Sequence, residues 1–66
     1  MPLAEISLIE GRPPEAKARL ISEVTDAIEN ALDAPRASIR VLLREIPPEH
    51  WGVGGTSKAA GESKPT

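Results

Sequence analysis

Prolines set the punctuation of this chain: Pro13-Pro14, Pro35 and Pro47-Pro48 cut it into three short apolar segments, each ended before it can run into the next. Proline cannot donate to a backbone ladder, and it pushes the residue before it out of the helical region. Each segment must therefore complete its own element, and the order of those elements limits the folds open to the chain.

The first segment, Leu3-Ala4-Glu5-Ile6-Ser7-Leu8-Ile9, alternates imperfectly. Ala4, Ile6 and Leu8 share one face, and Leu3, Glu5, Ser7 and Ile9 share the other, as in a strand. Leu3 and Ile9 make the second face too apolar for open water, so a covering subunit is expected there. Gly11 ends the strand, and Arg12-Pro13-Pro14 is an extended turn. Pro14 suits the first helical turn, where its missing N–H costs nothing, and Glu15 lies at the positive end of the helix dipole. Leu20, Ile21, Val24, Ala27, Ile28, Ala31 and Leu32 then recur at helical spacing, opposite Arg19, Ser22, Glu23, Asp26, Glu29 and Asn30. This is an amphipathic helix to be packed on a sheet, stopped by Asp33-Ala34-Pro35.

A second strand is predicted over 38–46, with Ile39, Val41 and Leu43 on one face and Arg40, Leu42 and Arg44 on the other. Two strands bracketing a helix form a βαβ unit with parallel strands and a right-handed crossover. After Pro47-Pro48, His50-Trp51-Gly52-Val53-Gly54-Gly55 permits a tight turn or short hairpin. The fold class is therefore α+β. Residues 1–55 form one domain, and 56–66, small and polar, form a flexible C-terminal tail.

Such a domain is too small to be comfortable alone. Folding would bury roughly 6,000 Å², and the hydrophobic gain and the ordering cost both come to about 80 kcal/mol. With no cysteine and one histidine, disulfides are excluded and a structural zinc is disfavoured, which leaves oligomerisation as the stabilising device. A net charge of −2 and a pI near 5.3 argue against nucleic acid as a partner. No apolar run is long enough to span a membrane and no secretory signal opens the chain, so a cytoplasmic location is expected.

Four residues are candidates for chemistry. If Met1 is removed, as a small second residue permits, Pro2 presents a free secondary amine. An α-amino group titrates near ~8, and burial in an apolar, cation-lined pocket lowers that value toward the range of a general base. The competing possibility is an inert terminus. Arg12, on a rigid turn at the end of the first strand, is either a solvated arginine capping carbonyls or an anion ligand. Arg40, inside the second strand, needs an anion or a carboxylate such as Glu5 or Glu45 of this or a neighbouring chain. Arg36 and Arg44 read as surface or interface charges. Trp51, the sole aromatic residue, either plugs an interface or walls an apolar pocket. His50 reads as a surface turn residue. The glycines after Trp51 do not join a strand to a helix, so no phosphate cradle is implied.

Pro2, Leu8-Ile9-Glu10-Gly11-Arg12, Leu32-Asp33-Ala34-Pro35, Ser38-Ile39-Arg40-Val41 and His50-Trp51-Gly52-Val53-Gly54-Gly55 together resemble the 4-oxalocrotonate tautomerase family of the tautomerase superfamily. The resemblance runs from Pro2 to Gly55 in the same order and almost without gaps. It implies an enol–keto tautomerase acting on a small 2-hydroxydienoate or 2-oxo acid, with no cofactor and no metal, and a place in aromatic degradation. Pro2 would be the base. Arg12 would bind the distal carboxylate, Arg40 the other carboxylate and the developing oxyanion, and Trp51 would wall the pocket. The resemblance also implies a homo-hexamer, a trimer of βαβ dimers, with sites shared between chains.

Three features depart from the family's pattern. Trp51 stands where phenylalanine is usual, Pro13-Pro14 replaces a polar helix opening, and the tail after Gly55 is unlike the type enzymes. Related enzymes of the same fold hydrate and dehalogenate 3-haloacrylates with an extra carboxylate and arginine. Val53 and Ile9 occupy the positions where those groups would stand, which ranks that activity second. A non-catalytic oligomeric structural protein is the third possibility, and retention of Met1 would favour it.

Overall fold

The computed structural model describes residues 1–59. Strand β1, Leu3–Ile9, is followed by helix α1, Pro14–Leu32, and strand β2, Arg40–Ile46. The two strands pair in parallel from Leu3 opposite Arg40 to Ile9 opposite Ile46. A second, antiparallel pair follows, β3 at Gly52–Val53 and β4 at Thr56–Ser57. The predicted βαβ unit and C-terminal hairpin are both present.

The prolines act where expected. Pro13 is extended at the helix N-cap, and its carbonyl accepts from the amides of Ala16 and Lys17 at 3.1 and 3.3 Å. At the other end Asp33 takes the left-handed conformation that commonly closes helices (φ 53°). Gly54 and Gly55 both have positive φ, 62° and 87°, as a two-residue hairpin turn requires.

Three expectations are corrected. β2 begins at Arg40, because residues 36–38 wind into a 3-10 turn, with the amides of Ser38 and Ile39 bonded to the carbonyls of Pro35 and Arg36. The expected tail begins inside the hairpin, since Thr56 and Ser57 form β4; residues 60–66 lie outside the described residues. The apolar stripe of α1 is also wider than the sheet it covers. Leu20, Val24 and Ile28 are half-buried, whereas Ile21, Ala27, Ala31 and Leu32 are exposed. The most buried helix residue is Thr25, whose hydroxyl donates to the Ile21 carbonyl at 2.7 Å and so needs no water.

A single chain has almost no interior. Among the described residues only Ile39 and Thr25 are buried, each 8% exposed. On the side of the sheet away from α1, Leu3 and Leu42 remain 56% and 51% exposed, and Glu5, opposite Leu42, pairs diagonally with Arg44 at 3.6 Å.

Candidate active site

The parallel register brings two candidates together. Pro2 lies just before β1 and Arg40 opens β2, and the Arg40 amide donates to the Pro2 carbonyl at 3.0 Å. Both stand at the N-terminal end of the sheet. Arg40 is thus the first residue of its strand, not an interior one, and its side chain is exposed. Its Nη1 donates to the carbonyls of Ala37 and Ile39 at 2.9 and 3.5 Å. The ion pair expected with Glu5 or Glu45 is absent within the chain, because Glu5 faces Arg44 and Glu45 bonds Lys17 at 3.1 Å.

Arg12 and Trp51 meet at the opposite end. Gly11 leaves β1 with φ 126°, a conformation open to glycine and strained for other residues. The turn lets Arg12 Nη1 donate back to the Ile9 carbonyl at 3.2 Å, the carbonyl capping foreseen for this residue. Trp51 reaches the same place from β2. Pro47-Pro48 ends that strand, a 3-10 turn at Pro48–His50 follows, and the Trp51 amide closes on the Pro48 carbonyl at 3.2 Å. The Trp51 carbonyl accepts from the Lys58 amide at 2.7 Å, so the hairpin holds this residue from its far side as well. His50 is exposed in the turn, as expected.

Arg12, Ile9 and Trp51 line one cavity of 260 Å³ together with Ser7 and Leu8. The cavity combines an apolar wall with a guanidinium, a pairing suited to an anion carried on an apolar or conjugated skeleton. Ser7 and Leu8 were not singled out from sequence. Ser7 shares the face of Ile9 at two-residue spacing, which was the available signal. A larger groove of 490 Å³, lined by Pro13, Glu15, Ala16, Arg19, Leu20 and Glu23, runs along the first turns of α1 and holds none of the candidates.

Charge pairing separates the five arginines. Arg19 bonds Glu23, Arg36 bonds Asp26 and Glu29 at 2.7 and 2.9 Å, and Arg44 pairs with Glu5. The hydrogen bond that Arg19 donates to Glu23 raises it above the ordinary arginine range, and those that Arg36 donates to Asp26 and then Glu29 do the same for Arg36. Among the described residues, Arg12 and Arg40 are the two arginines with no carboxylate partner.

The candidates form two groups, not one. The seven residues of β1, which end at Ile9, separate Pro2 and Arg40 from Arg12 and Trp51, a span of about 23 Å at the rise of a parallel strand. One chain cannot close both groups on a small substrate.

The family model described as "Tautomerase enzyme" matches residues 2–61. A probable tautomerase of Ralstonia nicotianae is 51% identical over 65 residues, 98% of this chain and 93% of the relative. A 2-hydroxymuconate tautomerase of Stutzerimonas stutzeri is 50% identical over 60 residues, 91% of this chain and 95% of the relative. Among solved structures, TomN, a 4-oxalocrotonate tautomerase homologue in the tomaymycin biosynthetic pathway, superposes with a TM-score of 0.93 at 39% identity, covering 97% of this chain and 98% of that one. A heterohexameric 4-oxalocrotonate tautomerase from Chloroflexus aurantiacus gives 0.86 at 44% identity, covering 89% and 95%.

Proposed function

The chain belongs to the tautomerase family, and on that premise we propose that it is an enol–keto tautomerase of small 2-hydroxydienoates or related 2-oxo acids. Members named as tautomerases are cofactor-independent isomerases, and the steps assigned here need only side chains and one amine. The neutral amine of Pro2 takes the hydroxyl proton of the dienol and returns a proton to a carbon further along the conjugated chain. No atom is gained or lost. Negative charge develops on the enol oxygen, where Arg40 stabilises it by charge-assisted hydrogen bonds, and Arg12 holds the distal carboxylate. Ile9 and Trp51 enclose the conjugated chain.

One observation carries the assignment of the arginines: among the described residues Arg12 and Arg40 are the pair left without a carboxylate, while Arg19, Arg36 and Arg44 each have at least one. A guanidinium with donors to spare is one that can accept a substrate anion.

The reading includes assembly. The scarcity of buried residues, the exposed Leu3 and Leu42, and the distance between the two candidate groups all favour a homo-oligomer, a trimer of βαβ dimers, in which one copy's Pro2 end meets another's Arg12 end. A relative from Chloroflexus aurantiacus is itself a heterohexamer.

The test is turnover of a 2-hydroxydienoate diacid by the chain with Met1 removed, verified by intact mass, beside a Pro2→Ala variant processed in the same way. Loss of most activity in the variant is expected, and an unchanged rate would sink the assignment of Pro2 as base.

A further inference from the structure

Ser7 lies on the open face of the sheet, is exposed, and lines the 260 Å³ cavity beside Ile9, Arg12 and Trp51. Among the described residues its hydroxyl has no hydrogen-bond partner. Its register partner is Arg44, whose charge is engaged by Glu5 at 3.6 Å. Ser7 is therefore a neutral donor facing a cavity whose one cation, Arg12, gives a single nitrogen to the Ile9 carbonyl at 3.2 Å. A carboxylate offers about four lone-pair sites over two oxygens, more than the remaining edge of one guanidinium satisfies.

We infer that Ser7 is a specificity-determining residue of this site: its hydroxyl donates to the substrate carboxylate held by Arg12 and makes the cavity prefer diacids to monoacids. The inference rests on Arg12 as the carboxylate anchor. It adds a second donor, of a different kind, to the same anion. The chemistry favours this division of work. A hydrogen bond to an ionised acceptor is stronger than one between neutral groups, and a hydroxyl pays little side-chain entropy to make it. A monoacid with a methyl group at that end leaves both Arg12 and Ser7 unsatisfied in a partly desolvated cavity, which is the strongest form of discrimination a site of this size has.

Trp51 is the sole aromatic residue and lines the cavity, so its emission reports occupancy without interference. The experiment is a titration of the assembled wild-type protein, Ser7→Ala and Ser7→Thr with adipate, a saturated six-carbon diacid, and with hexanoate, followed by Trp51 emission and by calorimetry. Wild type is expected to bind adipate at least about tenfold more tightly than hexanoate. Ser7→Ala should reduce that preference about tenfold, the size of one hydrogen bond to a charged group, and Ser7→Thr should keep it within about threefold. A preference unchanged in Ser7→Ala, or no preference in wild type, overturns the inference. Dienol turnover by the processed protein is measured in parallel. Absence of turnover with the adipate preference intact would defeat the tautomerase reading and leave the role of Ser7 standing, whereas turnover with a preference indifferent to Ser7 would do the reverse.

Discussion

The amide of Arg40 donates to the carbonyl of Pro2 at 3.0 Å, so the residue proposed as base and the residue proposed to stabilise the oxyanion are joined through their backbones. The bond uses main-chain atoms that any substitution other than proline at 40 retains. Side-chain variants at both positions can therefore probe chemistry while leaving this join in place.

Pro2→Ala, with Met1 removed, is expected to lower kcat by about 10²-fold or more, the usual contribution of a positioned general base. Far-UV circular dichroism should be unchanged, because the Pro2 carbonyl bond survives in alanine. Wild-type activity and similar spectra for both chains, measured on mass-verified samples, would count against Pro2.

Activity should rise with pH through the titration of the Pro2 amine, since the neutral form is the base. A pH–rate profile of kcat/KM on a dienol diacid checks this. An activity that falls with rising pH below neutrality would contradict an amine base.

The two arginines should separate kinetically. Arg40→Ala is expected to cost about 10²–10³-fold in kcat, as removal of an oxyanion donor does. Arg12→Ala should act mainly by raising KM, about tenfold or more, because it removes a carboxylate contact made before and during the reaction. Equal effects of both variants on kcat alone would undo the division of roles.

Ile39 and Leu42 stand on opposite faces of the same part of the chain and should respond differently. Ile39 is buried, and Ile39→Ala is expected to cost about 2 kcal/mol or more in denaturant unfolding. Leu42 is exposed on the open face, so Leu42→Asp should instead shift the assembly toward smaller species in sedimentation velocity. Unaltered sedimentation would mean that the open face is not an interface.

Gly55, at φ 87° in the turn between β3 and β4, should not tolerate a branched residue. Gly55→Val is expected to cost about 1–2 kcal/mol locally and to loosen the hairpin whose Lys58 amide holds the Trp51 carbonyl. A red shift of Trp51 emission in the folded protein would report it.

Much of the architecture is local and was legible without coordinates. Pro13-Pro14 and Asp33-Ala34-Pro35 bound α1 because proline and a left-handed cap act within one or two residues. The alternation of β1 and β2 gave the faces toward and away from α1 for the same reason. Gly54-Gly55 marked the hairpin turn, although the partner strand at Thr56–Ser57 went unforeseen because two small polar residues carry no strand pattern. Tertiary structure decided what depends on residues distant in sequence. The rotation of α1 over the sheet left Ile21 and Leu32 outside and put Thr25 within. Strand pairing set Glu5 diagonally across from Arg44, and the packing of α1 against β2 gave Glu45 to Lys17, which leaves Arg40 without a carboxylate among the described residues. The turn at Gly11 brought Arg12 to Ile9, and Ser7 joined them only because a cavity forms where β1 and the approach to β3 meet. Local rules act over a few residues, whereas ion pairs and cavities depend on where whole elements come to rest against one another.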